Sequence, residues 1–79
     1  MNELTEEVAE VKARVAFRIR QLRKQRGLTM QEVAKKLKTH INSVYNHEHG
    51  AFHHNVHTIL KYCKLYNITI AELLEGISI

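Results

Sequence analysis

The sequence predicts an all-α fold in which five helices surround one hydrophobic core. Three observations predict it. Apolar residues recur at steps of three and four along most of the chain, glycine or asparagine follows the expected helix ends, and the 79 residues include no proline. Hydrophobic residues make up 44% of the chain and charged residues 25%, which is typical of a folded domain rather than a disordered one. A chain of this length has room for one core.

The first helix is predicted to be the longest, from about residue 5 to residue 26. An apolar stripe at helical spacing runs along it, formed by Val8, Val11, Val15, Ile19 and Leu22. Gly27 follows this stripe and is expected to end the helix in a left-handed conformation. Acidic residues crowd the start of the helix and basic residues its end, a distribution that the helix dipole favours.

Two short helices are predicted next. Residues 29–32 form a Thr-x-x-Glu capping box that starts the second helix. A turn at residues 38–40 leads to a third helix over residues 41–48, which directs Val44 and His47 inward and ends at Gly50.

Two further helices complete the fold. Asn55 is expected to cap a fourth helix that Asn67 closes, and its predicted core positions are Val56, Ile59, Leu60, Cys63 and Tyr66. Residues 69–72 form a second capping box. It opens a short fifth helix that buries Leu73 and Leu74 and ends at Gly76.

The pair of helices over residues 29–48 points to function. In such a pair the first helix braces the second, which presents one face to solvent. With Val44 and His47 inward, helical spacing leaves four residues outward: Ile41, Asn42, Tyr45 and Asn46. Asparagine can bond adenine bidentately in the major groove, and apolar side chains can pack on a thymine methyl. This face therefore predicts double-stranded DNA as the partner.

The sequence resembles the Cro/phage-repressor (XRE) helix-turn-helix domains over about residues 15–75. The resemblance rests on residues 18–23, 27–29, 32–37, 43–44, 48–50, 58–60 and 69–74. It implies a five-helix repressor-like bundle with an extended first helix, whose third helix enters the major groove, usually in a dimer on a two-fold symmetric site. The chain then divides into an N-terminal helical extension (1–14), the DNA-binding domain (15–76) and an apolar C-terminal tail (77–79).

The resemblance also implies residue roles. Base reading falls to Ile41, Asn42, Ser43, Tyr45 and Asn46. From the placement of basic and polar residues around this face, we expect phosphate binding by Thr29, Gln31, Lys35, Lys36, Lys38 and His40. Arg23 and Glu48 match positions that often form a buried ion pair, with two solvated charges as the alternative.

The sequence departs from the family at several positions. Met30 replaces a frequent glutamine, and His47 replaces a large aliphatic or aromatic residue. Lys38 stands where the turn usually has glycine, so it must bear a left-handed or distorted backbone at a cost of about 1 kcal/mol. No Lys or Arg lies between Lys38 and Lys61. We therefore expect modest, strongly salt-dependent binding to DNA.

The histidines leave alternatives open. Five of them cluster, namely His47, His49, His53, His54 and His57. His53 and His57 have a spacing that can chelate a metal on a helix, and a histidine loop beside DNA can sense pH. Solvated loop histidines are the simpler interpretation, so we expect no metal and no cofactor.

The sequence thus predicts a transcriptional regulator, a repressor or autoregulator, that binds a symmetric operator as a homodimer. The alternative is a protein-interaction module such as an antitoxin-like domain, with a toxin or another regulator as its partner.

We expect no enzyme, since the chain has no Asp and Cys63 is interpreted as a core residue. A single cysteine and the lack of an 18-residue apolar run predict a cytoplasmic protein with no membrane partner. The extension and the tail are expected to pack on the bundle or in a dimer seam, the alternative being fraying.

Overall fold

The structure is a computed structural model that describes residues 3–50 and 55–75, with side chains from residue 8 onward. Within these ranges the chain forms five helices and no strand: α1 (Glu3–Gln25), α2 (Met30–Leu37), α3 (Ile41–Glu48), α4 (Val56–Tyr66) and α5 (Ile70–Leu73). This confirms the predicted all-α, five-helix fold with a long first helix. α5 ends at Leu73, earlier than the predicted end at Gly76. Gly76, the tail 77–79, and the histidines His53 and His54 lie outside the described residues.

Local signals in the sequence set the starts of α2, α4 and α5. In the first capping box, the backbone N–H of Glu32 donates to Thr29 Oγ1 over 3.1 Å, and the N–H of Thr29 donates to Glu32 Oε1 over 3.0 Å. Residues 69 and 72 repeat this exchange at α5. Asn55 Oδ1 accepts from the N–H of Thr58 over 2.8 Å at α4. These bonds satisfy N–H groups that the first turn of a helix leaves unpaired.

Left-handed residues follow four of the helices. Gly27 follows α1 with φ 67° and Gly50 follows α3 with φ 68°, as the sequence predicted. Lys38 follows α2 with φ 56°, and Asn67 follows α4 with φ 54°. The strained backbone expected at Lys38 is therefore present. The Lys38 N–H donates to the carbonyls of the last turn of α2, so its conformation turns the chain sharply into α3.

The core draws on all five helices. Its buried hydrophobic residues are Val15, Ala16, Ile19, Leu22, Val33, Ala34, Val44, Tyr62, Cys63, Tyr66 and Leu73. The predicted core face of α4 was partly wrong, since Val56 is 69% exposed and Leu60 48% exposed, whereas Tyr62 is fully buried. The buried stripe of α4 passes through positions 59, 62, 63 and 66, about one residue around the helix from the predicted stripe.

The packing of α3 determines where its outer face lies. α3 packs against α2 and α1, and Val44 is fully buried between them and the rest of the core. The chain leaves α3 through Gly50, whose Cβ, if it had one, would lie 4.0 Å from Ala13 Cα and Ala16 Cβ. The side of α1 that carries these alanines therefore adjoins the end of α3.

Candidate nucleic-acid interface

Five candidate base-reading residues lie on α3. Ile41 and Tyr45 are about half exposed, Asn42 is exposed, and Ser43 and Asn46 are half-buried. Val44 and Glu48 point the other way and are buried. α3 therefore has one polar and apolar face open to a partner, and its opposite face is fixed in the core.

An ion pair fixes the C-terminal end of α3. Arg23 of α1 donates from Nε to Glu48 Oε2 over 2.7 Å and from Nη2 to Glu48 Oε1 over 3.1 Å. Its Nη1 donates to the carbonyl of Leu28 over 2.9 Å. Both side chains are almost fully buried, so the alternative of two solvated charges is wrong. The bidentate geometry joins α1, the loop before α2, and α3 in one arrangement.

A second polar contact joins α3 to α4. His47 Nδ1 lies 2.9 Å from the Tyr62 hydroxyl, and the two rings meet edge to face with centroids 5.6 Å apart. Burial raises the pKa of Tyr62 above its ordinary range, which keeps the phenol neutral. A histidine at this inward position is thus accommodated by a tyrosine hydroxyl.

His49 supports the face in a way that sequence reasoning missed. Its ring stacks on Tyr45 with centroids 3.9 Å apart and planes 18° apart, and its Nδ1 lies 2.7 Å from the Tyr45 carbonyl. The two residues are four apart at the end of a helix, a spacing that could have indicated the contact. The stacking restricts the Tyr45 ring to one side of α3.

The N-terminus of α2 carries a carboxylate of its own. Hydrogen bonds from the backbone N–H of Thr29 and from its side chain hold the pKa of Glu32 below its ordinary value of 4.5. An ionised Glu32 therefore sits where the sequence predicts a phosphate. Thr29 and Gln31 precede Glu32 in the sequence and are exposed. Further along α2 and in the turn that follows, Lys35, Lys36, Lys38 and His40 are also exposed.

Four lysines line one cleft between α2 and α4. The cleft has a volume of about 400 Å³, and its lining residues are Lys36, Leu37, Lys38, Lys61, Lys64 and Leu65. A smaller cleft of about 210 Å³ adjoins it through Leu37 and Lys61 and reaches Ser43 on α3. Lys61 and Lys64 were not among the predicted phosphate-binding residues. Their spacing of three on α4 shows only that they share a face, and the packing of α4 against α2 brings them to Lys36 and Lys38.

The described residues also bear on three other candidate features: a nucleophilic cysteine, a metal site and a membrane-spanning helix. Cys63 is buried in the core, and burial raises the pKa of its thiol, which disfavours a nucleophilic thiolate. Among residues 3–50 and 55–75, no group of three His, Cys, Asp or Glu side chains is arranged to hold a metal ion. None of the described helices is long and apolar enough to span a membrane.

The fold and the exposed face of α3 define a helix-turn-helix domain, in which α2 braces a second helix presented to solvent. A family model described as a helix-turn-helix domain matches residues 17–79. The chain belongs to this helix-turn-helix domain family, which is one of the XRE-type group. Comparisons with curated proteins and with solved structures each found no significant match. The family membership supports a DNA-binding regulator, and domains of this family are typically not enzymes.

Proposed function

We propose that this chain is a sequence-specific transcriptional regulator, a repressor or autoregulator that binds a two-fold symmetric operator as a homodimer in the cytoplasm. The observation that carries the proposal is the outer face of α3, where Asn42 is exposed and Asn46 half-buried on a helix fixed by a buried ion pair. A reading helix must be rigid, because base discrimination depends on placing amide groups within hydrogen-bond distance of base edges.

In this proposal the residues on the outer face of α3 have different roles, according to their side chains. Asn42 and Asn46 bond base edges, Ser43 contributes a hydroxyl, and Ile41 and Tyr45 pack in the groove. The backbone phosphates are held by exposed residues around this face, namely Thr29, Gln31, Lys35, Lys36, Lys38 and His40.

A gel shift on DNA from the region upstream of the chain's own gene tests the proposal. Asn42→Ala should weaken binding to the preferred site by about 1–3 kcal/mol and leave binding to random DNA almost unchanged. Lys35→Ala is the matched comparison, because loss of a phosphate contact should weaken both complexes alike. Equal losses on both DNAs for Asn42→Ala would show that Asn42 does not read bases.

A protein-interaction module such as an antitoxin-like domain is the second candidate. Two observations favour it: α3 carries no Lys or Arg, and Glu32 occupies the N-terminus of α2. Its exposed Ile41 and Tyr45 would then pack on a toxin or another regulator. Co-purification with the product of a neighbouring gene, abolished by Tyr45→Ser, together with no shift of any DNA, would favour this candidate.

A further inference from the structure

The outward side of α1 carries an exposed aromatic ring that the proposed DNA contacts do not use. Phe17 is 64% exposed near the middle of the helix. A cleft of about 420 Å³ lies beside it, lined by Phe17, Arg20, Gln21, Lys24 and Gln25. The exposed residues along this side, which we name the outer face of α1, are Glu10, Arg14, Phe17, Gln21 and Lys24. Aromatic residues are enriched in protein–protein interfaces relative to the rest of the surface.

The charge on the outer face of α1 is negative before Phe17, at Glu10, and positive after it, at Lys24. Glu10 lies seven residues before Phe17 and Lys24 seven residues after it. Seven residues are about two turns, so both charges lie on the same side of the helix as the ring. In the sequence, further acids stand at 3, 6 and 7 before Glu10, and Arg20 stands between Phe17 and Lys24. A parallel copy would set like charges together, whereas an antiparallel copy sets opposite charges together.

We propose that the outer face of α1 binds a second copy of this chain, with the two α1 helices antiparallel and Phe17 at the two-fold axis. In this arrangement Glu10 of each copy faces Lys24 of the other, and the two aromatic rings cover each other. Glu10 already bonds Arg14 of its own helix over 3.1 Å, and that exposed pair leaves the carboxylate more than half accessible to a partner. This interface specifies which surfaces form the homodimer, and the inference rests on the proposed function.

The position of α3 makes this dimer compatible with one DNA duplex. Glu48, the last residue of α3, pairs with Arg23 of α1, and the chain just after α3 passes Ala16 at Gly50. Successive residues of a helix differ by about 100° in direction, so Ala16 and Arg23 point about 100° and 120° away from Phe17. The side of α1 that carries Ala16 is therefore roughly perpendicular to the direction of Phe17. The two-fold axis of an antiparallel pair is perpendicular both to the helices and to the line joining them. A side of α1 that is perpendicular to the direction of Phe17 therefore faces along this axis, in the same direction in both copies. This places both α3 helices on one side of the dimer.

The interface is small, since one helix pair buries less than the roughly 1,200 Å² of a standard stable interface. We expect a dissociation constant on the order of 10 µM. Sedimentation equilibrium of the full chain should therefore show a concentration-dependent dimer. Phe17→Ser should raise the dissociation constant at least about tenfold, because the central apolar contact is lost. Val56→Ser, at an exposed apolar residue on α4, is the control and should leave the dissociation constant unchanged.

Charge reversal tests the antiparallel register directly. Lys24→Glu and Glu10→Lys each set like charges across the seam at both ends, so each variant alone should be monomeric. An equimolar mixture of the two restores an opposite-charge contact at both ends and should form a heterodimer. Circular dichroism melting of each variant confirms that it is folded, since both positions are exposed.

The outcomes separate this proposal from the proposed function. A monomeric wild type at about 100 µM, well above the expected constant, would overturn the interface, as would a mixture that stays monomeric while both variants are folded. Gel shifts with Asn42→Ala report on DNA reading whatever the dimer contact is. A wild-type dimer unaffected by Phe17→Ser would show that another surface forms it.

Discussion

A buried charged residue has a large effect on stability when its partner is removed. Glu48 is buried and accepts two hydrogen bonds from Arg23. Glu48→Gln leaves the Arg23 charge buried without a counter-charge, and the free energy of unfolding should fall by about 3–5 kcal/mol. Urea unfolding followed by circular dichroism measures it.

The exposed pair Arg14–Glu10 provides the matched control. Glu10→Gln removes the same kind of charge from a pair that is more than half exposed. At protein concentrations far below the dimer dissociation constant, its effect should stay below about 1 kcal/mol, because water screens the attraction. Equal effects of the two substitutions would mean that the pair at Glu48 is not desolvated in solution.

Lys38 is a residue whose backbone, rather than its side chain, determines its effect on stability. It holds a left-handed conformation with φ 56°. Lys38→Gly should raise the free energy of unfolding by up to about 1 kcal/mol, because glycine adopts this region without strain from a Cβ atom. Thermal melts measure the change. Lys36→Gly, inside α2, should instead lower stability by about 1 kcal/mol, and a gain there would contradict the conformational argument.

At the scale of helices, the sequence predicts the ends better than the faces. Both capping boxes and the left-handed Asn67 were predictable, because each depends on residues within one turn of the chain. The inward face of α4 was not. Its sequence offers apolar residues at 56, 59, 60, 62, 63, 65 and 66, and only packing against α1, α2 and α5 selects the stripe that contains Tyr62 and Tyr66.

The candidate interface divides in the same way. The outward face of α3 follows from Val44 pointing inward, since helical spacing then fixes its other residues. The stacking of His49 on Tyr45 is also local, since the two residues are four apart. The approach of Lys61 and Lys64 to α2 depends instead on tertiary packing, and no pattern within one element predicts it.

The two capping boxes make helix stability depend on pH. Hydrogen bonds from Thr29 and Thr69 lower the pKa of Glu32 and Glu72 below 4.5. A carboxylate with a depressed folded-state pKa stabilises the fold fully above its unfolded pKa and loses this effect as pH falls through the folded value. The melting temperature should therefore decrease as the pH is lowered from about 4.5.

Glutamine variants isolate this contribution. Glu32→Gln and Glu72→Gln can still accept the N–H bond but carry no titrating charge. They should melt below the wild type at pH 7 and approach it as the pH is lowered from 5 to about 3. A gap that stays constant over this range would show that the charge of the capping carboxylate is not involved.

At the scale of the whole molecule, the net charge of +4 is less informative than its placement. α3 itself has no Lys or Arg, whereas Lys36, Lys38, Lys61 and Lys64 surround one cleft beside it. The adjoining smaller cleft reaches Ser43 on the outer face of α3. If a DNA strand runs from this face along the clefts, the lysines of α4 supply the phosphate contacts that α3 lacks.

Salt dependence tests this path, because each phosphate contact releases counterions and adds about 0.9 to the slope of log affinity against log salt. Lys61→Ala should weaken binding to the preferred site and to random DNA by similar factors and lower the slope by about 1. Lys12→Ala removes the same charge from α1, at a position that lines neither cleft and lies outside the outer face of α1, and is the control for net charge alone. If the two variants change the slope equally, the lysine cleft is not on the path of the duplex, and its phosphate contacts must come from the residues around α2 and α3.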